Sequence, residues 1–494
     1  MLKIIDPNWN KSVISITILL SILLSIFVLV DPEFSSSILS QTYGILSVTF
    51  EDFYMYGSFF LLIFLISLAL SRYGTIKLKL QNKPTYTMLS WSSMLFAAGI
   101  GATLLYWSTI EWIEYYNILK NDTELTSEEL LLYSRSYPIF HWGFTAWAIY
   151  CLPVVAFGLA LTLKPNSNLT FSGILSVQNT ILKFILDVLF IGAIICGAGV
   201  GLGLSFPLIS SVLSKIFMIE RTFSLDIFTI LICSVIFATS AYIGVQNGIK
   251  RLSNLNMILV IIFLIVVFLL GPTSYIFSNS IKTLGFLSSN YIDMSLTTGT
   301  EISLDWSVFY WAWWYALAPM VGTFLVNISN NRTLREVIFG SILIGTLGCV
   351  LSMTILSNLS IHLFESGAIN APDILENKIY SREDLVVNSI MSLDFGYILL
   401  IGFAFIIIIF LCTTYDSASY VLASASMQDS TISGSKSLRL VFAFLLVVQP
   451  TLLMYLNGVD SFKWIMVIFS VPLLFINCLL IYSILKNVYR IKKS

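Results

Sequence analysis

The chain has 494 residues, 57% of them hydrophobic and only 11% charged, and its 26 Lys and Arg against 27 Asp and Glu leave a net charge of -1. A soluble domain carries about 25% charged residues, and a mean hydropathy of +0.89 leaves too few polar groups to cover a surface in water. A soluble enzyme is excluded, as is a nucleic-acid binder, which needs a basic footprint; the chain reads as an integral membrane protein.

A bilayer core is crossed by about 20 mostly apolar residues in a helix. Twelve such stretches follow in order, over residues 12–30, 54–72, 88–109, 141–163, 182–212, 223–243, 255–275, 306–326, 336–358, 397–418, 438–457 and 463–486. Lys3 and Lys11 precede the first, which spans without an A-x-A-like cleavage site after it and so reads as a retained helix. If the hydrophilic segments alternate from an inside N-terminus, 18 of the 26 basic residues fall inside. The positive-inside rule then places both termini in the cytoplasm. The longest outer loops, around Glu111 to Arg135 and Glu365 to Asp394, are acidic. Glycine- or aromatic-rich breaks in the third and eighth spans stand five spans apart, the offset of an inverted repeat of five helices each.

The six cysteines lie singly in apolar stretches, with no CxxC pair. That spacing suits small packing residues rather than disulfides or zinc. His141 and His362 are the only histidines, too few for an imidazole metal site. The sequence calls for no catalytic metal or redox cofactor.

Three segments could carry function. In the third span, Phe96-Ala97-Ala98-Gly99-Ile100-Gly101-Ala102-Thr103 places two glycines one residue apart. This is either a break exposing carbonyls to a polar cavity or a close helix contact through small residues. In the fourth, His141-Trp142 precedes Trp147 and Tyr150. As one helix, Trp142, Trp147 and Tyr150 spread over about 140°, and an interfacial aromatic belt explains them as well. The eighth opens Asp305-Trp306-Ser307-Val308-Phe309-Tyr310-Trp311-Ala312-Trp313-Trp314. Trp306, Tyr310, Trp313 and Trp314 share a face about 100° wide and more than two turns long, deeper than a belt. Aromatic faces around a small volume hold quaternary ammonium groups through the ring quadrupole.

Asp305 to Trp314, continued through Ile328-Ser329 and Arg332-Thr333-Leu334-Arg335-Glu336, resembles the signature of the betaine/choline/carnitine transporters. The glycine segment at 96–101, the His141-to-Tyr150 segment and Leu252-Ser253-Asn254 resemble further family motifs in the same order. The resemblance covers nearly the whole chain. It implies an all-α polytopic membrane protein of 12 transmembrane helices, a LeuT-type 5+5 inverted repeat preceded by two extra helices. On that pattern 1–87 holds the two peripheral helices, 88–275 the first repeat, 276–305 an outer connection, 306–486 the second repeat and 487–494 a short cytoplasmic tail. Osmotically activated relatives carry a long charged tail, so little activation by hyperosmotic stress is expected.

By resemblance, Trp142, Trp147, Tyr150 and Trp314 box the substrate's ammonium, with Tyr310, Trp311 and Trp313 beside the pathway. Gly99, Ile100 and Gly101 form the unwound stretch facing the substrate's carboxylate end, and Thr103 is a further substrate-binding candidate. The chain departs from family patterns at Thr103, Leu317, Asn327 and Asn330, and carries Ala198 and Gly199 where sodium-coupled relatives have hydroxyls for a second ion. For Na+, Phe410, Thr413 and Thr414 offer hard oxygens, which the resemblance pairs with Ala97 and Ile100. Asn256 stands where sodium-independent exchangers carry arginine. Thr413 and Thr414 could equally bond their own helix, and Asp416 is either a functional membrane acid or the cap of a helix break.

The function expected is import of a glycine betaine, choline or carnitine type of compound across the cell membrane, coupled to Na+, by a symporter that the resemblance makes a homotrimer. The alternatives are a sodium-independent exchanger or a proton-coupled choline carrier on the same fold. A membrane-embedded enzyme would need a nucleophile and base, or clustered acids or histidines, facing each other in the bilayer, and a sensor would need a soluble domain; the sequence offers neither.

Overall fold

A computed structural model describes residues 8–81, 83–98, 101–243, 246–428 and 435–493. These are helical, without strands, and meet only in isolated bridges such as Lys77 to Thr333. In chain order the helices are α1 (Lys11–Val30), α2 (Pro32–Leu70), α3 (Met88–Ala98), α4 (Ala102–Leu119), α5 (Ser127–Trp142), α6 (Phe144–Leu163), the single turn α7 (Phe171–Ile174), α8 (Thr180–Phe217), α9 (Phe223–Ile243) and α10 (Gln246–Leu270). They continue with α11 (Thr273–Leu296), α12 (Val308–Ile328), α13 (Leu334–Phe339), α14 (Gly345–Glu365), α15 (Ala371–Glu376), α16 (Arg382–Met391), α17 (Gly396–Ala425), α18 (Lys436–Asn457) and α19 (Val459–Lys493). Short π-helical turns, Ser303–Ser307 and Gly340–Ile344, lead into α12 and join α13 to α14.

Among the described residues, eight helical stretches are long and apolar enough to cross a membrane, and nine if α10 and α11, bent by 110°, count together. The remaining stretches read from the sequence fall on the broken pair α3–α4 and on α9, α10 and α12, all of them helical. The second span starts much earlier than residue 54. Asp31 turns the corner from α1, its side chain accepting Phe34 N at 3.0 Å, and Pro32 opens a helix of 39 residues. The first half of α2 is rich in Ser and Thr, which hides it from a hydropathy reading. Their hydroxyls fold back on the helix, Thr42 to Ile38 O at 2.7 Å and Ser47 to Tyr43 O at 2.8 Å.

At the centre, α6 and α12 form the most extensive helix pair, with α2, α8 and α19 around them. Their close approach rests on Gly322, where a Cβ would lie 2.7 Å from Pro153 Cγ. That pair brings together the aromatic segments of the fourth and eighth spans.

Candidate functional site

The fourth span is not one helix. α5 ends at Trp142, and Gly143 (φ -90, ψ -139) breaks the chain before α6 begins. Any Cβ at Gly143 would sit 2.5 Å from Ile139 O. Trp142 therefore belongs to a different helix from Trp147 and Tyr150, and the spread computed for a single helix is corrected. The break also strands the last carbonyls of α5, which need donors from elsewhere. His141 O accepts the indole N–H of Trp314 at 2.8 Å.

The start of α12 is anchored from the side of α2. Glu51 accepts Gly299 N at 2.8 Å and Ser303 Oγ at 2.5 Å. Asp305 takes Lys463 Nζ at 2.6 Å and Tyr43 OH at 3.1 Å, and the same ammonium lies 3.6 Å from the centre of the Trp306 ring. So fixed, α12 stacks Trp306 on Tyr310 (6.2 Å between ring centres), Tyr310 on Trp314 (5.9 Å) and Trp313 on Trp314 (5.1 Å, nearly parallel).

Trp142, Trp314, Tyr150 and Trp147 form an unbroken edge-to-face chain, with ring centres 4.7, 5.5 and 5.5 Å apart. All four are at most 7% exposed. A cation held by a ring face lies within about 6 Å of its centre. The four rings thus converge from α5, α6 and α12 on one buried place in the bundle. The indole of Trp147 lies against Gly345 of α14, where a Cβ would overlap the ring.

Behind the rings is a buried polar chain. Glu111, fully buried in α4, accepts Trp142 Nε1 at 2.9 Å and Tyr115 OH at 2.6 Å. Tyr115 OH lies 2.7 Å from His141 Nδ1, and His141 Nε2 lies 2.8 Å from Ser307 Oγ. The sequence reading left Glu111 in an acidic outer loop; it is instead two turns inside a helix. The signal was available, since Glu111 follows an apolar run and stands four residues before Tyr115, facing it on one side of a helix.

A family profile described as BCCT, betaine/carnitine/choline family transporter, matches residues 12–493. The chain belongs to this family. It is 30% identical over 443 residues to a carnitine transporter of Acinetobacter baumannii, covering 87% of this chain and 80% of that protein. It is 28% identical over 482 residues to a glycine betaine transporter of Bacillus subtilis (94% and 92%), and 26% identical over 488 residues to the high-affinity choline transport protein of Escherichia coli (95% and 70%). The protein is thus a transporter and not an enzyme.

Other residues singled out in this betaine/carnitine/choline family transporter fall as follows. Gly99 and Ile100, and the side chain of Ala97, lie outside the described residues, as do the side chains of Leu252-Ser253-Asn254. Gly101 is extended (φ -143, ψ 172) and starts α4, so the third span is broken. Thr103 and Trp313 both face Gly201 of α8, and Trp313 donates to Gly197 O at 2.9 Å. Trp311 turns to α2, its Nε1 3.3 Å from Met55 Sδ, away from the four-ring chain. Phe410, Thr413 and Thr414 follow one another in α17, and Thr413 Oγ1 donates to Phe410 O at 3.0 Å. The same helix runs unbroken through Asp416, which is buried, so any helix break that it caps is not in α17. Asn256 is buried and donates to Ile406 O at 3.3 Å.

Segments between the helices of the transporter are tied in two places. After α2, Leu78 N donates to Arg332 O and Asn331 N to Leu78 O, each at 2.8 Å. Asn330, where relatives often carry arginine, clamps by its amide: Leu80 N donates to its Oδ1 at 2.9 Å, and its Nδ2 donates to Lys83 O at 2.8 Å. Elsewhere, Arg382 of α16 reaches Glu114 of α4 at 2.7 Å, and Arg221 in the α8–α9 turn reaches Glu383 and Asp226, each at 3.2 Å. Burial alone would lower the Arg221 guanidinium, but Glu383 and Asp226 outweigh it and raise it.

Proposed function

We propose that the protein imports a glycine betaine, choline or carnitine type of compound by alternating access, coupled to Na+. The observation that carries this reading is the convergence of Trp142, Trp147, Tyr150 and Trp314 from α5, α6 and α12 into one edge-to-face chain. Trimethylammonium has no N–H to donate, so ring faces and shape must recognise it. Family membership and relatives named for carnitine, glycine betaine and choline support the substrate class. Gly99, Ile100, Gly101 and Thr103 would face the other end of the substrate, with Tyr310, Trp311 and Trp313 supporting the pathway. Twelve spans, arranged as repeats over 88–275 and 306–486 after two peripheral helices, complete the proposed architecture, and three copies assemble in the cell membrane. Uptake of labelled glycine betaine, choline and carnitine into proteoliposomes tests it: accumulation of at least one is expected under an inward Na+ gradient, and accumulation of none overturns it.

For the ion, Thr413, Thr414 and the Phe410 carbonyl supply hard oxygens, with Ala97 and Ile100 proposed as backbone partners. A hydroxyl that donates to a carbonyl keeps its lone pairs for a cation. Asn256 in place of an arginine leaves that role to Na+. Replacing Thr413 and Thr414 by valine is expected to raise the Na+ requirement or abolish accumulation while the protein stays folded. Accumulation that is the same in K+ as in Na+ buffer would favour exchange or proton coupling instead.

Both termini are proposed to be cytoplasmic. A cysteine replacing Lys492 in a cysteine-free background should resist an impermeant thiol reagent in intact cells and react in inside-out vesicles. Labelling from outside overturns the orientation.

A further inference from the structure

Away from the aromatic rings, α1, α8, α18 and α19 surround a cavity of about 260 Å³. Its outline follows from the packing of α8. A Cβ on Gly192 would lie 2.5 Å from Phe469 Cζ of α19, and one on Gly199 would lie 3.1 Å from Pro450 Cγ of α18. Cys196 lines the space between these two contacts, and Thr17, Ser21 and Leu24 of α1 close it from the far side. The walls are almost wholly apolar. Donors that border it are spent within the protein: Thr17 Oγ1 on Val13 O at 2.8 Å, and Gln449 Nε2 on Ser21 O at 2.7 Å and Ser25 Oγ at 2.9 Å. A buried water needs about two to four polar partners, which such walls do not supply. An apolar cavity of about 150 Å³ stays dry and takes up benzene, and this one is larger. Left empty, it would forfeit dispersion contacts along its whole lining.

What fills the cavity follows from where it opens. All four helices are long and apolar enough to cross a membrane. Thr17 to Leu24 form the middle of α1, which puts the cavity at the depth of the hydrocarbon. Leu20 lines it and is itself 51% exposed, next to the equally exposed Leu19 and Leu23. The mouth is therefore continuous with the surface that lipid covers, where no water is at hand. We propose that the cavity seats one acyl chain of a neighbouring phospholipid, which enters beside Leu20 and lies between α1 and α8. A chain of methylene groups asks for no hydrogen bond, which matches walls whose Thr17 and Gln449 donors are already engaged. The seat stands one helix behind the aromatic residues. On its other side the same stretch of α8 accepts Trp313 Nε1 at Gly197 O, at 2.9 Å, and turns Gly201 towards the Trp313 ring.

The test uses the full chain in vesicles of phosphatidylethanolamine and phosphatidylglycerol, with a small share of a phospholipid that carries a diazirine midway along one acyl chain. After illumination, adducts are located by mass spectrometry of peptides. Exposed Leu231 and Val235 of α9 serve as the reference for lipid contact. Adducts are expected in addition on Ile195 of α8 and Ile465 of α19, which line the cavity and are otherwise buried. Cys196→Phe and Ser21→Phe fill the space from opposite walls. Each should reduce the adducts on Ile195 and Ile465, and the double variant should lose them, while those on α9 stay. A wild type labelled on α9 but not on Ile195 or Ile465 overturns the proposal, whether or not the variants fold. So does a folded double variant with lining adducts at the wild-type level. A protein that keeps Cys196 as its only cysteine should resist a charged, water-soluble thiol reagent in the same vesicles; rapid reaction would show that water fills the cavity, and the acyl chain falls.

Discussion

Replacing Trp314 with leucine is expected to weaken binding of trimethylammonium compounds by roughly 5- to 30-fold, the effect of losing one desolvated ring worth about 1 to 2 kcal/mol. Trp314 is the ring on which the group turns. It touches Trp142 at 4.7 Å and Tyr150 at 5.5 Å, stacks on Trp313, and ties α12 to α5 through its N–H on His141 O. Trp314→Phe keeps a ring face and loses only the N–H, so it should be partly tolerated. The expected order of affinity is Trp, then Tyr or Phe, then Leu, read by calorimetry on purified protein. Wild-type affinity in both Trp314→Leu and Trp147→Leu would show that these rings do not hold the head.

The second large effect is expected at a residue with no side chain. Gly345→Ala places a methyl group against the Trp147 ring, where Cδ2, Cε2 and Cε3 already occupy the space. An indole is rigid and cannot yield by rotating a terminal atom, so the whole ring or α14 must move. Overpacking of this kind costs about 1 to 3 kcal/mol of stability. Displacing Trp147 should in addition lower substrate affinity by roughly tenfold. The double variant Gly345→Ala with Trp147→Phe should recover part of both losses, because the smaller ring makes room; residues in contact are not additive. A double variant no better than the sum of the single ones, by thermal melting and substrate titration, would show that the two do not clash.

Composition and periodicity settled the solvent in which this chain lives. A low charge content and long apolar runs admit only helices in a bilayer, and α1, α9, α17 and α18 lie close to where hydropathy put them. The aromatic run from Trp306 to Trp314 was legible because its composition is so far from chance and its spacing keeps one face. Local signals failed where polarity is answered by the helix itself. The serines and threonines of α2 looked like a loop, yet their hydroxyls bond to carbonyls four residues back.

What the sequence by itself determined was therefore the membrane class, the tryptophan stripe and, by resemblance, the family. What only the tertiary structure decided was how separate helices complete one another. Nothing local to Gly143 reveals that breaking the helix there frees His141 O for Trp314, 173 residues further on. Nothing local to Gly345 reveals that its missing side chain is the floor beneath Trp147. Glu111 reads as one more acid at the outer end of a span until α5 brings Trp142 and His141 to it. A hydrogen bond or a ring contact is a property of two positions, and periodicity records only one helix at a time.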